Sequence, residues 1–211
     1  MHKYFIRTPW LVRKAFASYT WKMPSEGEKI YLSFDDGPHP EITPWVLDRL
    51  KEHGVLATFF CIGNNVKRYP GIYERILAEG HAVGNHSYSH MNGWKTPVKE
   101  YVEDVQKASG LIKSSLYRPP YGRIRKAQAK QIGEDLSAGE AGIIMWDVLS
   151  ADFDRSFSPQ QCLNNVTRHA RPGSIVVFHD SEKAFRNLEY ALPGTLNFME
   201  ERGYRAEKIV V

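Results

Sequence analysis

The amino-acid sequence predicts an α/β protein built around a parallel sheet, open or closed as a barrel. Short apolar runs such as residues 57–63 and 174–180 alternate along the chain with longer segments of helical periodicity. Strands that are apolar on both faces are typical of parallel sheets covered by helices. Roughly six or seven such units fit this chain length, which suits a barrel slightly smaller than the eight-fold type.

The predicted elements follow one another as strand and helix. Thr43 and Gly54 are the expected start and end signals of the first helix after a strand, and Ser158 with Pro159 begins a later one. The last helix is expected to break at Pro193. Predicted strands are 29–35, 57–63, 81–87, 117–122, 142–150 and 174–180, and predicted helices are 43–54, 70–80, 97–116, 125–136 and 158–170.

Composition and charge restrict the function classes. The net charge of +4 and the isoelectric point of about 9.0 arise from scattered Lys and Arg residues, so we expect no nucleic-acid partner. Cys61 and Cys162 lack C-x-x-C spacing, which excludes a disulfide-rich scaffold and a cysteine-ligated zinc site. Cys61 lies in an apolar strand, where an inert buried thiol is expected.

Residues 1–28 are predicted to form an N-terminal amphipathic helical extension packed on the barrel, and residues 29–211 a single domain. Thr8 is the expected N-cap, and Val12, Phe16 and Tyr19 fall on one helical face. A basic, aromatic helix could lie on a membrane surface, but covering a core is the favoured interpretation. No secretion signal or membrane span is visible, so we expect a cytoplasmic location.

Polar side chains follow almost every predicted strand at its carboxyl end. Active sites of parallel α/β folds form at this edge, because the loops after the strands converge there. Two adjacent carboxylates, Asp35 and Asp36, end a buried-looking strand, where they repel each other and require a cation. The residues at this edge are Asp35, Asp36, His86, His90, Arg118, Tyr121, Asp152 and His179, which Asp180 follows directly.

The spacing of His86 and His90 indicates a metal site. On a helical turn, residues four apart aim both imidazoles at one point. With Asp36 or Asp35 they make three ligands and leave positions open for water, as in catalytic zinc sites; structural sites normally have four ligands. The second aspartate would then lie close enough to act on that water. The alternatives are an ordinary turn and a chance spacing of histidines.

Three further residues suggest acid–base chemistry. Arg118 can form a bidentate pair with a carboxylate and hold it ionised. His179 stands just past an apolar strand, where a general acid could lie, and Asp152 beside it would raise its basicity. Each also has a purely structural interpretation, as part of a proline turn, as a buried histidine or as a loop acid.

Taken together, the stretches SFDDGP, HSYSH, RPPYG, SADF and VVFHD resemble the polysaccharide deacetylase family, also called the NodB-homology domain or carbohydrate esterase family four. The similarity covers roughly residues 29–211. It implies a distorted (β/α)7 barrel and a hydrolase that removes N-acetyl groups from an N-acetylated sugar or polysaccharide and releases acetate. It also implies a divalent metal cofactor, for which Zn²⁺ is preferred over Co²⁺, Ni²⁺ or Mn²⁺.

By this resemblance, each residue at the edge has an expected role. Asp35 matches the catalytic base, Arg118 its tether, Asp152 the acid that tunes the histidine, and His179 the general acid. The matching metal ligands are Asp36, His86 and His90, and Tyr121 supplies a backbone N–H to the oxyanion. The expected substrate-binding residues are Tyr121, Trp146, Phe153 and Val177.

Several interpretations of the activity and of the metal site stay open. Phe153 and Val177 stand where the family commonly has tryptophan and leucine, so the acyl preference is not fixed. Alternatives to N-deacetylation are an O-acetyl esterase or another de-N-acylase acting on a xylan-like or lipid-linked sugar. Two further readings are a carbohydrate-binding module without catalysis and a purely structural metal site.

Overall fold

The computed structural model describes residues 4–135 and 142–210 and contains a parallel sheet covered by helices. The strands are β1 Lys29–Asp35, β2 Thr58–Cys61, β3 Ala82–Asn85, β4 Leu116–Tyr117, β5 Gly142–Ile143, β6 Val148–Leu149, β7 Ile175–His179 and β8 Arg205–Ala206. Seven strands pair in the order β5-β4-β3-β2-β1-β7-β6, and β8 pairs with the start of β1. The sheet curls into a distorted α/β barrel, so the predicted fold class is confirmed.

The helices connect successive strands of this sheet. They are α1 Trp10–Ala15, α2 Ile42–Glu52, α3 Gly63–Arg68, α4 Pro70–Ala78, α5 Val98–Ser109, α6 Lys126–Asp135, α7 Pro159–His169 and α8 Phe185–Glu201. Within the described ranges, none of them combines the length and apolar character needed to cross a lipid bilayer. Both cysteines are free and buried.

Side chains of β1 alternate between two surroundings. Ile30, Leu32 and Phe34 belong to the main apolar cluster together with residues of the surrounding helices. Ser33 and Asp35 alternate with them and are equally buried, but they contact the guanidinium of Arg118. Because successive strand residues point to opposite faces, this central strand packs the core with one face and carries polar groups on the other.

The barrel has a seam between β5 and β6, which stand at the two ends of the strand order. The sequence predicted one continuous strand over residues 142–150, and this is wrong, because the chain breaks between β5 and β6. The N-terminal segment lies along both sides of the seam. Thr20 exchanges backbone hydrogen bonds with Ile143 and Met145, and the backbone N–H of Leu149 donates to the carbonyl of Ile6 at 2.8 Å.

Local expectations for the N-terminal segment were only partly met. The helix α1 spans six residues, and none of them is buried. Thr8 was expected to cap it, but the N-cap is Pro9. The hydroxyl of Thr8 donates instead to the carbonyl of Trp146 at 2.8 Å. The division of the chain after residue 28 stays a prediction.

The last helix, α8, runs through Pro193 without a break, so the expected interruption is wrong. Proline in a helix interior removes a hydrogen bond and costs about 3 kcal/mol. The helix buries Leu188, Leu192, Leu196 and other apolar residues against the core. This burial favours the continuous helix over the local preference for a break.

Other helices are compared with their predicted ends and starts as follows: one ends earlier than predicted, and one begins where predicted. The helix α5 ends at Ser109, before the expected Leu116, because Gly110 follows and the chain then enters β4. Residue 136, the expected end of α6, lies outside the described residues. The start of α7 at Ser158 and Pro159 is confirmed: the hydroxyl of Ser158 accepts from the N–H of Gln161, whose side chain accepts from the N–H of Ser158.

This capping box predicts a stability effect. Ser158→Ala removes the acceptor for a helix N-terminal N–H and should lower the free energy of unfolding by about 1 kcal/mol. Urea denaturation followed by circular dichroism measures the change. Ser158→Asp, which keeps an acceptor at the N-cap, is the matched control and should stay near wild type. An equal loss in both variants would contradict the capping role.

Candidate active site

The two adjacent carboxylates at the end of β1 diverge. Asp35 continues the strand inside the barrel, is 3% exposed and accepts a hydrogen bond from Arg118 at 2.6 Å. Asp36 has a φ of +81° and leaves the strand direction, which brings its carboxylate to His86 and His90. Each aspartate therefore has its own cationic or imidazole partner, and this explains how two like charges stand side by side.

Arg118 is fully buried, and its guanidinium donates to acceptors from two parts of the chain, the strand β1 and the segment between β5 and β6. One terminal nitrogen donates to Asp35 and to the hydroxyl of Ser33 at 2.8 Å. Nε donates to the carbonyl of Ile144 at 3.2 Å, and the other terminal nitrogen to that of Met145 at 3.1 Å. Both carbonyls lie in the break between β5 and β6. The strand break thus supplies acceptors that a desolvated arginine requires.

The loop after β3 brings His86 and His90 together, but not as a helical turn. Ser87 and His90 both have positive φ, at +64° and +58°. The side chain of Asn85 accepts from the N–H of Ser87 at 2.8 Å. The buried carboxylate of Asp104 accepts from the backbone N–H groups of Tyr88 and Ser89, at 2.9 and 3.0 Å. The predicted convergence is correct, and the predicted helical cause is wrong.

Asp36, His86 and His90 form a candidate metal site. One ligand atom from each lies within 4.8 Å of the others. Nε2 of His90 stands 3.2 Å and Nε2 of His86 3.7 Å from Oδ1 of Asp36. Nδ1 of His86 donates to the carbonyl of Arg118 at 2.8 Å, which leaves the lone pair of Nε2 facing Asp36.

The protonation states of this cluster suit metal binding. Burial lowers the pKa of His86 to about 4, so its imidazole is neutral at physiological pH. Burial alone would raise the pKa of Asp36, but the hydrogen bond from His90 and the charge of His179 lower it below its ordinary value. A neutral imidazole and a carboxylate are the forms that bind divalent ions. The residues present therefore fit such an ion.

His179 lies at the end of β7, in register with Asp35. Its Nδ1 donates to Oδ1 of Asp152 at 2.8 Å, and its backbone N–H donates to Oδ2 of the same carboxylate at 2.8 Å. Burial alone would lower the pKa of His179, but the Asp152 carboxylate, followed by Asp36 and Asp35, raises it to about 9. The side chain is therefore protonated at neutral pH and oriented by Asp152.

Aromatic rings flank the cluster. Tyr121 has a φ of +60°, is 59% exposed and packs its ring 4.6 Å from that of His90. The ring of Phe153 lies edge-on to His179 at 4.9 Å. Trp146 is partly buried, 5.9 Å from the Arg118 guanidinium. Val177 is only 1% exposed and is part of the barrel wall, so its role as a substrate contact stays a prediction.

The sequence profile described as polysaccharide deacetylase matches residues 22–137. A peptidoglycan-N-acetylglucosamine deacetylase of Bacillus cereus is 36% identical over 170 residues, which cover 78% of this chain and 60% of that protein. A chitooligosaccharide deacetylase of Azorhizobium caulinodans is 35% identical over 158 residues, covering 72% and 73%. The chain belongs to the polysaccharide deacetylase family.

A solved structure agrees with this assignment. The crystal structure of a peptidoglycan N-acetylglucosamine deacetylase in complex with 4-naphthalen-1-yl-N-oxidanyl-benzamide aligns with a TM-score of 0.82 and 32% identity. The alignment covers 96% of this chain and 95% of that one. The resemblance found in the sequence is confirmed. The chain spans 60% of the length of the Bacillus cereus relative, so what that whole protein does is not transferred directly.

The deacetylase fold also uses buried polar residues that the sequence did not single out as site residues. Asp180 accepts from the N–H of Gly37 at 3.0 Å and from the hydroxyl of Thr43, and its own N–H donates to the carbonyl of Asp35 at 3.1 Å. Burial, followed by the charge of Asp36, raises the pKa of Asp180 to about 8. Asp180 thus fixes the turn that carries Asp36. Its only signal in the sequence was its position directly after His179.

Backbone strain concentrates in this site. Six non-glycine residues have positive φ in the part of the chain that the structure describes, and five of them lie in the loops of the site. Such conformations cost free energy and persist where surrounding contacts enforce them, as at functional sites. The five residues are Asp36, Ser87, His90, Tyr121 and Ala151.

Removing the arginine should destabilise the protein strongly. Arg118→Met leaves the buried Asp35 carboxylate without its cation and should lower the free energy of unfolding by about 3–5 kcal/mol. Urea denaturation measures the effect. The double variant Arg118→Met with Asp35→Asn removes the unpaired charge and should be less destabilised than the single variant. A single variant within about 1 kcal/mol of wild type would contradict the coupling.

The effect of Asp152 on His179 can be measured directly. Asp152→Asn removes the anion that favours the imidazolium, so the pKa of His179 should fall below its wild-type value of about 9. A pH titration of the histidine ring resonances in the metal-free protein measures this shift. Asp48→Asn, which removes an exposed carboxylate elsewhere, is the control. An unchanged titration of His179 would contradict the assigned cause.

Proposed function

We propose that this chain is a metal-dependent hydrolase that removes N-acetyl groups from an N-acetylated carbohydrate and releases acetate. One observation carries the proposal: the ligand cluster of Asp36, His86 and His90 lies beside two further groups that are already held for proton transfer. Asp35 is bound to Arg118, and His179 is bound to Asp152. Peptidoglycan-like and chitooligosaccharide-like sugars are the proposed substrates, in line with the relatives named above.

A divalent ion is the proposed cofactor. Oδ1 of Asp36 and Nε2 of both histidines would hold it, with Zn²⁺ preferred over Co²⁺, Ni²⁺ or Mn²⁺. When bound, such an ion lowers the pKa of water and polarises the carbonyl of the substrate. Three protein ligands leave coordination positions open, which supports a catalytic rather than a structural ion.

The protein groups divide the proton transfers between them. Asp35 accepts the proton of the attacking water, and Arg118 holds its carboxylate in place at 2.6 Å. His179 gives its proton to the departing nitrogen, and Asp152 keeps the imidazole oriented. The backbone N–H of Tyr121 is the proposed donor to the developing oxyanion, a type of contact worth roughly 3–4 kcal/mol in the transition state.

The protonated state of His179 favours an amide substrate over an ester. An amine departs poorly unless its nitrogen is protonated, whereas an alcohol of an ester needs less help. A histidine with a pKa raised to about 9 carries that proton at neutral pH. A carbohydrate-binding module without catalysis would have no use for the paired acid and base. The cytoplasmic location stays a prediction, and a membrane contact of the N-terminal segment stays the less favoured alternative.

Acetate release tests the proposal. The purified chain, reconstituted with zinc, should release acetate from chitooligosaccharides or peptidoglycan fragments, and removal of the ion by a chelator should abolish the release. Acetylated xylan is the competing ester substrate and should be hydrolysed less well. Absence of acetate release from all three substrates in the reconstituted protein would overturn the proposed function.

A variant of the proposed general acid separates catalysis from binding. His179→Ala should fold and bind zinc as wild type does, but turn over the N-acetylated substrate at least about 10²-fold more slowly. Zinc content and initial rates measure the two properties. His53→Ala, a histidine on the C-cap of α2, is the matched control and should keep wild-type turnover. Near-normal turnover by His179→Ala would refute its role.

A further inference from the structure

The first residues of the described chain run beside the strand that leads into the site. The N–H of Thr8 donates to the carbonyl of Asp147 at 2.9 Å, and the N–H of Leu149 donates to the carbonyl of Ile6 at 2.8 Å. These residues therefore line β6, whose carboxyl end continues to Asp152. The family profile begins to match at residue 22, so this part of the chain lies outside it.

Tyr4 precedes Ile6 by two residues, and its side chain contacts the loop that follows Asp152. Its ring packs on that of Phe153, with centroids 5.3 Å apart. Its hydroxyl donates to the carboxylate of Asp154. Burial, followed by Asp154, raises the pKa of Tyr4, so the hydroxyl keeps its proton. One side chain thus contacts both residues that follow Asp152.

Phe153 contacts both Tyr4 and His179. The Phe153 ring stands edge-on to the imidazole, with centroids 4.9 Å apart and planes at 70°. The side chain of Asp152 accepts from Nδ1 of the imidazole, and the ring of Phe153 packs against the imidazole ring. Orientation of the imidazole therefore depends on both neighbours, and Tyr4 is packed against the second of them.

We propose that Tyr4 is a positioning residue for His179: it holds Phe153 and Asp154 so that the imidazole stays aimed at the departing nitrogen. The N-terminal segment is then part of the active site. This inference rests on the proposed function, in which His179 is the general acid. It concerns orientation, so its effect should appear in turnover of substrates that need a proton donor and not in substrate binding.

Two substrates with different leaving groups test this role. Tyr4→Ala should lower kcat for an N-acetylated chitooligosaccharide about tenfold, with KM within about twofold of wild type. Turnover of 4-nitrophenyl acetate, whose leaving group needs no protonation, should stay within about twofold. Tyr4→Phe keeps the ring contact and should lose less than about threefold on the amide. Tyr190→Ala, which removes a tyrosine bonded to Gln160 on the surface, is the matched control.

The outcomes separate the inference from a general loss of structure. An equal loss on amide and ester, or unchanged amide turnover in Tyr4→Ala, would overturn the proposal. A wild-type protein that is inactive on the amide would overturn the proposed function instead, and the inference with it. These two failures are distinguishable because the first requires an active wild type.

A second measurement does not depend on activity. The aromatic ring of Phe153 shifts the nuclear magnetic resonance signals of the His179 ring protons, because a ring current acts at this distance. In Tyr4→Ala these signals should move toward positions of an isolated imidazole, while those of His53 stay unchanged. Unchanged His179 signals in Tyr4→Ala would overturn the positioning role.

Discussion

The buried guanidinium of Arg118 is the interaction on which the rest of the site depends. It is completely removed from water, so each of its N–H groups requires an acceptor inside the protein. Those acceptors come from β1 and from the break between β5 and β6. The backbone carbonyl of Arg118 also accepts from Nδ1 of His86 and orients the imidazole of this proposed metal ligand. Arg118 therefore links the proposed base, a proposed metal ligand and the seam of the barrel.

The open seam of the barrel supplies hydrogen-bond acceptors to the buried Arg118. A continuous strand over residues 142–150 would pair the carbonyls of Ile144 and Met145 with a neighbouring strand, and Arg118 would lose two acceptors. Because the chain breaks there, the seam needs another cover, and the N-terminal segment provides backbone hydrogen bonds on both sides. The same segment brings Tyr4 to the loop that carries Asp152, so closing the barrel and shaping the site are coupled.

The loops of the site are held by buried polar side chains rather than by apolar packing. Asp104 and Asn85 bind the backbone of the histidine loop, and Asp180 binds the turn after β1. These contacts compensate for strained backbone at Asp36 and His90, both with positive φ. Rigid loops of this kind reduce the reorganisation needed when the proposed reaction begins.

The sequence by itself determined the fold class and the residues that meet at the site. Apolar strands alternating with helices require a covered parallel sheet, and polar residues at the ends of those strands must converge because the loops share one edge. This argument predicts that His86 and His90 meet Asp36 or Asp35, and the family resemblance selects Asp36. Local pattern does not report long-range contacts, and this is where the predictions failed. Pro193 stays helical because burial of its helix outweighs a local preference.

Only the tertiary structure decided how the two neighbouring carboxylates separate, which chain segments cover the seam and what holds each imidazole. Asp35 and Asp36 are identical in type and adjacent, but their partners lie far along the chain. Arg118, the partner of Asp35, is 83 positions away, and His90, the partner of Asp36, is 54 positions away. Periodicity cannot encode such pairings, because they exist only after the sheet has curled. The contact of Tyr4 with Phe153 spans the chain in the same way and has no signature in either stretch alone.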